Sequence, residues 1–401
     1  MLTNIEIETA QNILGQQLSP LADEEIPLLT AFGRVASHDL RVPSPIPYRP
    51  QSAMDGFAIH QADLGVSGLL RIQRLKVSDI PHYPLQSGEA VVVNTGFPVP
   101  KDTGAVIPHE GVEVQGDYLF TRYDLKPGSN IRPAGEDFQA GELLVASGTR
   151  LTPGIISAAA ACGLSKISVY RKPRVAVLNL SPYHSSRATN RGSALLPDSN
   201  GPLLASLVVR DGGEVEWVAD KDDIDLHEID TLQHTDLLLT TGGTYSREKS
   251  EAQTLLEELG TTLLFWGTQI QPGGHNGAGI FDSRLAICLS GNPAACAVGY
   301  ELLAAPVLRR FQGLNPNLSR LPATCVNDIV ITNRSSRRFL RGRAACGSNG
   351  WEVEVLPGQK ASMIRSLLEC NALIEIPGGR SKIPAGSKIN IILNGQSWSP
   401  E

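Results

Sequence analysis

The sequence has few aromatic residues, no block of like charge and no long apolar run. Aromatic residues make up 5% and hydrophobic residues 41% of the 401 residues. The formal net charge is −6 without any dense stretch of lysine and arginine, which argues against a nucleic-acid or membrane-surface partner. No apolar run approaches the roughly 18 residues of a membrane helix, and the acidic N-terminus has no secretory signal pattern. We therefore expect a folded cytoplasmic protein.

Metal-binding and disulfide patterns are also missing. The six cysteines are scattered, with no C-x-x-C pair, and the eight histidines form no H-x-x-x-H or H-E-x-x-H pattern. Structural zinc sites and disulfide frameworks need closer or more regular spacing. The cysteines are therefore interpreted as buried or inert thiols.

The chain length predicts about two to four domains. Apolar residues at near-helical spacing predict a helix over residues 4–17, capped by Thr3 or Asn4, and a short helix over Leu28–Val35. Four prolines between 43 and 50 then exclude regular structure. From 51 to 140, short apolar runs broken by glycine and proline predict a small β domain.

The pattern changes between 173 and 314, where apolar runs of strand length alternate with amphipathic stretches. The predicted strands are Val175–Leu180, Glu214–Val218, Asp236–Thr241, Thr262–Trp266 and Leu285–Leu289, and the predicted helices are 200–211, Ala252–Leu259 and Ala294–Phe311. This alternation indicates a parallel sheet covered on both faces. Ligands of such sheets bind at the carboxyl ends of the strands, so the loops at 181–198, 242–250, 271–276 and 290–293 should meet.

Short β runs return from 315 to 401 and predict a small barrel or sandwich. They are Ile329–Ile331, Trp351–Val355, Leu373–Ile376 and Ile389–Leu393.

A series of short motifs runs through the whole chain. The first half carries 52–58 (S-A-M-D-G-F-A), Thr95-Gly96, 106–110 (V-I-P-H-E) and 128–137 (G-S-N-I-R-P-A-G-E-D). The second half carries 198–200 (D-S-N), 241–243 (T-G-G), 272–274 (P-G-G), 289–293 (L-S-G-N-P), 339–342 (F-L-R-G) and 358–359 (G-Q). In this order, the set resembles the MoeA and gephyrin E-domain family. The S-A-M-D-G and G-E-D motifs together are its most specific part.

The resemblance implies a multidomain fold of the α+β and α/β classes. It implies an elongated homodimer with a helical linker domain in two segments (1–50 and 141–172), a β lid domain (51–140), a parallel-sheet αβα domain like molybdopterin-binding proteins (173–314) and a C-terminal β-barrel domain (315–401). The implied site is shared between the αβα domain of one subunit and the lid of the other. The implied activity is molybdopterin molybdenumtransferase: adenylylated molybdopterin is cleaved, molybdate enters its dithiolene, AMP is released and Mg²⁺ assists.

Several positions depart from the family pattern. The family's T-G-D-E-L stretch is Leu180-Ser181-Pro182-Tyr183-His184 here, and its K-P-G-K-P loop is Gln271-Pro272-Gly273-Gly274-His275. Its G-G-V-S-x-G-x-x-D loop has Tyr245, Arg247 and Ser250 at the serine, third glycine and aspartate. A charge-assisted hydrogen bond contributes roughly 1.5–3 kcal/mol, so losing two lysines would weaken anion binding by about a hundredfold or more. Arg247, Lys249 and His275 are new cations that could rebuild the site or simply be solvated.

The lid acids are the candidate catalytic residues. Asp55 and Asp137 could hold Mg²⁺ or position water, because both are hard carboxylate ligands in glycine-flanked loops, and Glu110 could line the same site. The alternative is that Asp55 and Asp137 only cap turns by accepting backbone hydrogen bonds.

The candidate ligand-binding residues lie mainly in the glycine-rich loops of the αβα domain. A glycine pair after a buried strand, and a proline at the first turn of a helix, can both present amide groups to an anion. The predicted set is Thr95, Arg132, Asp198, Gly242, Gly243, Arg247, Pro272, Gly273, Gly291, Asn292 and Pro293.

Three functions are compatible with these features. The first is insertion of molybdate into adenylylated molybdopterin. The second is a non-catalytic binding or scaffold subunit, which could pair with an intact paralogue through the shared site. The third is an enzyme acting on a different pterin or nucleotide.

Overall fold

The fold is known from a computed structural model, which describes residues 1–121, 125–181, 184–185, 196–224, 232–245, 249–331 and 336–394. Its α-helices are α1 (Ile7–Gln16), α2 (Pro153–Ala161), α3 (Asn200–Arg210), α4 (Glu251–Glu258), α5 (Pro293–Gly299) and α6 (Ala305–Phe311), with a π-helical segment, Tyr300–Ala304, joining the last two. Short 3₁₀ helices occupy Leu28–Thr30, Gln61–Asp63, Ile80–His82, His109–Gly111, Lys221–Asp223 and Arg365–Leu367. Within these ranges, every helix is too short or too polar to span a bilayer.

The strands are short and spread over the whole chain. In the first half they are β1 (Leu2–Ile5), β2 (Asp23–Pro27), β3 (Leu40–Arg41), β4 (Gln51–Ser52), β5 (Gly56–His60), β6 (Gly68–Gln73), β7 (Glu89–Val93), β8 (Thr103–Pro108), β9 (Val112–Gln115), β10 (Tyr118–Thr121), β11 (Ile131–Arg132), β12 (Leu143–Val145), β13 (Lys166–Tyr170), β14 (Arg174–Asn179), β15 (His184–Ser185) and β16 (Leu196–Pro197). In the second half they are β17 (Glu214–Asp220), β18 (Leu237–Thr241), β19 (Thr262–Thr268), β20 (Ile270–Gln271), β21 (Gly277–Phe281), β22 (Arg284–Leu289), β23 (Leu321–Cys325), β24 (Ile329–Val330), β25 (Arg337–Gly347), β26 (Gly350–Val355), β27 (Ala372–Ile376), β28 (Lys382–Ile383) and β29 (Lys388–Leu393).

The central sheet has seven strands in the order β1-β19-β21-β22-β18-β14-β17. The strand pairs β14–β17, β14–β18, β18–β22 and β1–β19 are parallel, whereas β21 runs antiparallel to both of its neighbours. Buried apolar side chains form a core on each face of this sheet, as expected for a covered αβα layer. The sheet is therefore mixed rather than purely parallel as predicted, because the unpredicted strand β21 runs antiparallel to its neighbours.

The N-terminal segment belongs to the central sheet. Strand β1 pairs in parallel with β19, and Ile7, Ala10 and Leu14 of α1 are buried in the main core. Burial of this apolar helix face stabilises the segment there, whereas the prediction assigned all of 1–50 to the linker domain. The predicted helix over 4–17 is shorter at its start, because residues 2–5 form the edge strand. Neither Thr3 nor Asn4 caps it, since its N-cap is Glu6 without a side-chain cap.

Two chain segments combine into a smaller unit beside the central sheet. Strand β2 pairs with β13, β3 pairs with β12, and α2 packs over them, with Leu28, Ala36, Leu151 and Val169 in one core. The predicted helix over Leu28–Val35 is only a single 3₁₀ turn, because Gly33 has a φ of +75° and Val35 turns into a β-bridge.

The remaining two sheets each have six strands. The lid sheet has the order β8-β5-β7-β6-β10-β9 and carries one apolar core on each face. At the C-terminus, the pairings β25–β26, β26–β23, β23–β29, β29–β27 and β27–β25 close a ring, and β20 adds to its edge. We refer to this ring as the barrel. The predicted multidomain α+β and α/β architecture is confirmed, while the domain boundaries stay predictions.

Candidate functional site

Three strands of the central sheet end side by side. Asn179 of β14 is the register partner of Thr241 in β18, and Thr241 is the partner of Leu289 in β22. The loops that follow β18 and β22 touch each other: the Gly242 amide donates to the Leu289 carbonyl at 3.2 Å, and a β-carbon on Gly291 would lie 3.0 Å from the Gly242 Cα atom. The 242–243 and 290–293 loops therefore form one continuous rim at the carboxyl edge.

Asn200 links the two loops of this rim through its side chain. Its buried side-chain amide donates to the Thr241 hydroxyl at 2.9 Å and to the Gly291 carbonyl at 2.8 Å. Asp198, which was predicted to bind ligand, accepts hydrogen bonds from the backbone amides of Asn200 (2.9 Å) and Gly201 (3.0 Å). A carboxylate at a helix start satisfies otherwise unpaired amides and interacts favourably with the helix dipole, so Asp198 stabilises the start of α3.

The 271–276 loop joins the same rim. The Thr268 hydroxyl donates to the Gly273 carbonyl at 3.2 Å, and the Gly267 amide donates to the Asn276 carbonyl at 2.8 Å. The fully buried Asn276 side chain accepts a hydrogen bond from the Ser290 amide at 3.2 Å. These contacts hold Pro272 and Gly273 beside the loop that carries Gly291.

A cleft of about 1060 Å³ opens between this rim and the barrel. The central sheet contributes Asn4, Glu6, 268–275, Ser290, Asn292 and Ala295 to its lining, and the barrel side contributes Ser336, Arg337, Ala361, Glu375, Pro377 and Gly378. Among the described residues that line it, none comes from the lid sheet.

Arg337 and Glu375, the charged residues on the barrel side of the cleft, belong to a set of four ion pairs. Arg337 donates to Glu8 at 2.8 Å and also contacts Glu375, while Arg320 bonds to both of these carboxylates at 2.7 Å. Burial raises the pKa of Glu8, but its hydrogen bond to Arg337 and the charges of both arginines outweigh this and leave that pKa lowered. Glu6 lies exposed on the lining. The described lining therefore presents no unpaired Lys or Arg to an anion.

Two of the amide groups expected to bind an anion are occupied. The Gly242 amide bonds to Leu289, as described above, and the Ala294 amide in the first turn of α5 donates to the Ala361 carbonyl at 3.0 Å. Helix starts bind anions through free amide groups, so the predicted anion site at Gly291, Asn292 and Pro293 is partly closed by the barrel. The Gly243 carbonyl accepts a hydrogen bond from the Ala252 amide at 3.0 Å, and a β-carbon on Gly243 would lie 3.0 Å from the Glu251 Cβ atom.

Of the three predicted replacement cations, the structure describes Lys249 and His275. Lys249 forms an ion pair with Glu257 of α4. His275 lines the cleft, and its ring lies 5.0 Å from the ring of Tyr245. Arg247, Pro182, Tyr183 and most of the predicted 181–198 loop lie outside the described residues.

Asp55 and Thr95 meet on the lid sheet. The Asp55 carboxylate accepts hydrogen bonds from the Thr95 amide at 2.7 Å and from its hydroxyl at 3.0 Å, and these bonds lower the pKa of the fully exposed Asp55. Glu110 is exposed in the 3₁₀ turn His109–Gly111, whose first amide donates to the Asp55 carbonyl at 3.3 Å. The Asp55 carboxylate thus stabilises the turn at Thr95 and remains exposed, and its role in a site stays a prediction.

Asp137 and Arg132 have different surroundings. Asp137 is exposed, and its backbone amide donates to the Ile46 carbonyl at 2.9 Å. Burial, followed by the negative charge of Asp137, raises the pKa of the Cys162 thiol at the C-terminal end of α2. Arg132 pairs with Glu136 at 2.6 Å. Across the described ranges, no three His, Cys, Asp or Glu side chains come together in a way that could hold a metal ion.

Comparison with known proteins decides the family. Residues 5–163 match the MoeA N-terminal region (domain I and II), 185–310 the probable molybdopterin-binding domain and 328–393 the MoeA C-terminal region (domain IV). The chain belongs to the MoeA family. It is similar to molybdopterin molybdenumtransferase of Staphylococcus epidermidis RP62A, with 26% identity over 98% of this chain and 96% of that protein. The same enzyme of Staphylococcus aureus COL shares 27% identity over 96% and 94%.

Solved MoeA structures share the fold over nearly the full length. The MoeA protein of Pyrococcus horikoshii OT3 aligns with a TM-score of 0.75 at 25% identity, covering 97% of this chain and all (100%) of that one. A second structure of the Pyrococcus MoeA protein gives a TM-score of 0.81 at 25% identity, covering 98% and 100%. The predicted family and fold class are therefore confirmed.

Sequence reasoning missed how this MoeA-family chain holds its barrel against the rim. Arg341 is fully buried and donates to the Ser366 hydroxyl and the Gly358 carbonyl, both at 3.1 Å, and burial lowers its pKa to about 10. The Gln359 side chain bonds to both backbone groups of Arg341, at 2.8 and 3.0 Å. These bonds hold in place the loop whose Ala361 carbonyl accepts a hydrogen bond from the first turn of α5. The F-L-R-G and G-Q motifs contained this signal, but sequence alone does not show that they meet.

Proposed function

We propose that this MoeA-family protein acts in molybdenum cofactor biosynthesis by inserting molybdate into adenylylated molybdopterin with release of AMP. The observation that carries the proposal is the cleft of about 1060 Å³ at the carboxyl edge of the central sheet, where ligands of such sheets bind. Molybdopterin and molybdate are the substrates, and the location is cytoplasmic. The family membership and the printed names of the full-length relatives favour this function over the scaffold and different-ligand alternatives.

We further propose that two copies complete the site. The described lining of the cleft includes no lid residue, while Asp55 and Glu110 are exposed on the lid. A lid supplied by a second copy would bring these acids, and Asp137, to the open side of the cleft. Acids positioned there could bind and orient water during cleavage of the phosphate linkage and exchange a proton with it. The partner in this proposal is an identical chain.

The proposal also includes Mg²⁺ as an assisting ion. Magnesium commonly keeps several waters and uses one or two protein carboxylates together with substrate phosphates. Asp55 and Asp137 are the predicted carboxylates, but the described residues of one chain do not gather a metal-ligating cluster. Any magnesium ion would therefore be held by one or two of these carboxylates together with water and the substrate phosphates, and the proposed roles of the lid acids do not depend on it.

Complementation of a bacterial strain that lacks its own molybdate-inserting enzyme tests this function. We expect the wild-type chain to restore molybdoenzyme activity, and Asp55→Ala and Asp137→Ala to lower the restored activity by about a hundredfold or more, as loss of an acid–base group does. Asp117→Ala is the matched control, because that lid carboxylate is 80% exposed and was not assigned to the site. It should restore activity like the wild type.

Two results would contradict the proposal. Failure of the well-expressed wild-type chain to restore activity, even with high molybdate, would remove the transferase function and leave the scaffold alternative. Full activity of both aspartate variants would remove the catalytic role of the lid.

A further inference from the structure

We infer that Tyr245 and His275 form a stacking platform for a flat heteroaromatic ring at the rim of the cleft. This inference rests on the proposed function and concerns its substrate. Their ring centroids lie 5.0 Å apart at an interplanar angle of 60°. The ligand ring is the pterin or the adenine of the proposed substrate. Both are flat heteroaromatic rings, so both can stack on aromatic side chains.

The two rings come from different loops of the carboxyl edge. Tyr245 follows the glycine pair after β18, and His275 ends the loop that follows β20. Both loops belong to the rim, so the two rings connect two of the segments that border the cleft. A ring positioned here can contact a substrate that occupies the cleft, because His275 belongs to the cleft lining.

The backbone on at least one side of each ring is held in place. Thr244, next to Tyr245, is buried, and the Gly243 carbonyl before it accepts a hydrogen bond from Ala252. On the other loop, the Gly274 carbonyl accepts from the Thr268 amide at 2.9 Å and Asn276 is fully buried. Anchoring of this kind positions the rings before a ligand arrives, which lowers the entropy lost on binding.

Exposure of Tyr245 is unusual for a ring that only packs within the protein. The residue is 71% exposed, and His275 is also exposed, so ring surface remains open beyond their mutual contact. Exposed aromatic groups beside a pocket are typical of binding surfaces, since a ligand ring can cover them.

The electrostatics of the cleft make ring contacts more important for recognition. Arg337 is neutralised by Glu8 and Glu375, and the Gly242 and Ala294 amides are engaged. The described lining thus offers little attraction for phosphate alone. Stacking does not require a cation, so it can supply the affinity that the lost lysines do not.

Calorimetry with a free pterin, with AMP and with inorganic phosphate tests the platform. Tyr245→Leu and His275→Leu keep apolar bulk without a ring and should raise the Kd of the ring compounds by about tenfold, in line with the effect of removing one stacking side chain. Tyr245→Phe keeps the ring and should stay within about twofold of wild type, since stacking does not need the hydroxyl. Tyr118→Leu on the lid, 45% exposed, is the control and should leave every Kd unchanged.

The outcomes separate the platform from the proposed function. An effect on the pterin alone or on AMP alone supports the platform and identifies the ring that it stacks. Equal affinities for the wild type and both leucine variants overturn it, even if the wild-type chain complements. Absence of ring-compound binding by the wild type also overturns it. Conversely, ring-dependent binding in a chain that fails to complement would keep the platform and remove the transferase.

Discussion

At the scale of single residues, the glycines of the carboxyl edge allow the neighbouring loops to pack closely. Gly291 and Gly242 approach so closely that a β-carbon on Gly291 would be 3.0 Å from the Gly242 Cα atom. The sequence predicted these glycines as site residues from their position after buried strands. The sequence could not show that the Gly242 amide donates a hydrogen bond to the Leu289 carbonyl, because that contact depends on the register of β18 against β22.

Asn200 provides a residue-scale prediction. Asn200→Leu removes the donor to the Thr241 hydroxyl and to the Gly291 carbonyl, leaving buried acceptors unpaired, which costs about 1–3 kcal/mol. The substitution removes only these two donated hydrogen bonds, because the Asn200 side-chain oxygen has no hydrogen-bond partner among the described residues. Urea unfolding measures the change, with the exposed Asn349→Leu as a control expected to stay within about 0.5 kcal/mol. Identical stability of Asn200→Leu and wild type would show that this residue does not hold the rim.

At the scale of elements, the sequence predicted those strands and helices whose periodicity is strong. The strands and helices predicted within the described part of 173–314 are present with small shifts at their ends. The predicted helix Ala294–Phe311 is interrupted by the π segment Tyr300–Ala304. Pro306 lies just beyond this segment and lacks the amide that a regular helix would bond to Leu302, which accounts for the irregularity.

Strand β21 was missed because its glycines disrupt the apolar pattern. Gly277 lies against Trp266 of the neighbouring strand, where a β-carbon would be only 2.2 Å from the indole ring, and Gly279 is equally crowded by Thr261 at 2.4 Å. These glycines allow the strand to pair closely with β19. The need for glycine here comes from tertiary packing, so it cannot be predicted from the local sequence.

Gly277→Ala tests this account of β21. The added methyl group must displace Trp266, and overpacking of this kind destabilises by about 1–3 kcal/mol. Gly68→Ala in strand β6 is the matched control, because no atom lies within 4 Å of the added carbon, so its unfolding free energy should change by less than about 0.5 kcal/mol. Thermal and urea unfolding would compare the two. A Gly277→Ala protein as stable as Gly68→Ala would mean that the close approach of Trp266 is not required.

At the scale of the whole molecule, the barrel is tied to the central sheet by charge. Glu8 lies on α1, Arg320 precedes β23, Arg337 begins β25 and Glu375 lies in β27, and the four side chains form a closed set of ion pairs beside the cleft. Parts of the chain more than 300 residues apart in sequence meet here, as in the Arg337 bond to Glu8 with a separation of 329. Local sequence patterns cannot predict such long-range pairs.

The same limit applies to the candidate site. The motifs identified the segments that form the rim, and their order identified the family. The occupied amides, the neutralised Arg337 and the Tyr245–His275 ring contact all depend on which loops meet in three dimensions. None of these three features can be read from a single motif.

The most direct test of the central claim is calorimetric titration of the chain with adenylylated molybdopterin, with and without molybdate. If the cleft binds the pterin, the wild type should bind a single ligand per chain. Asn292→Trp, which places an indole on the exposed lining, should raise the Kd by about tenfold or more. Asn349→Trp, at the exposed turn between β25 and β26, should bind like the wild type. Absence of any binding heat in the wild type, or unchanged binding by Asn292→Trp, would contradict the claim.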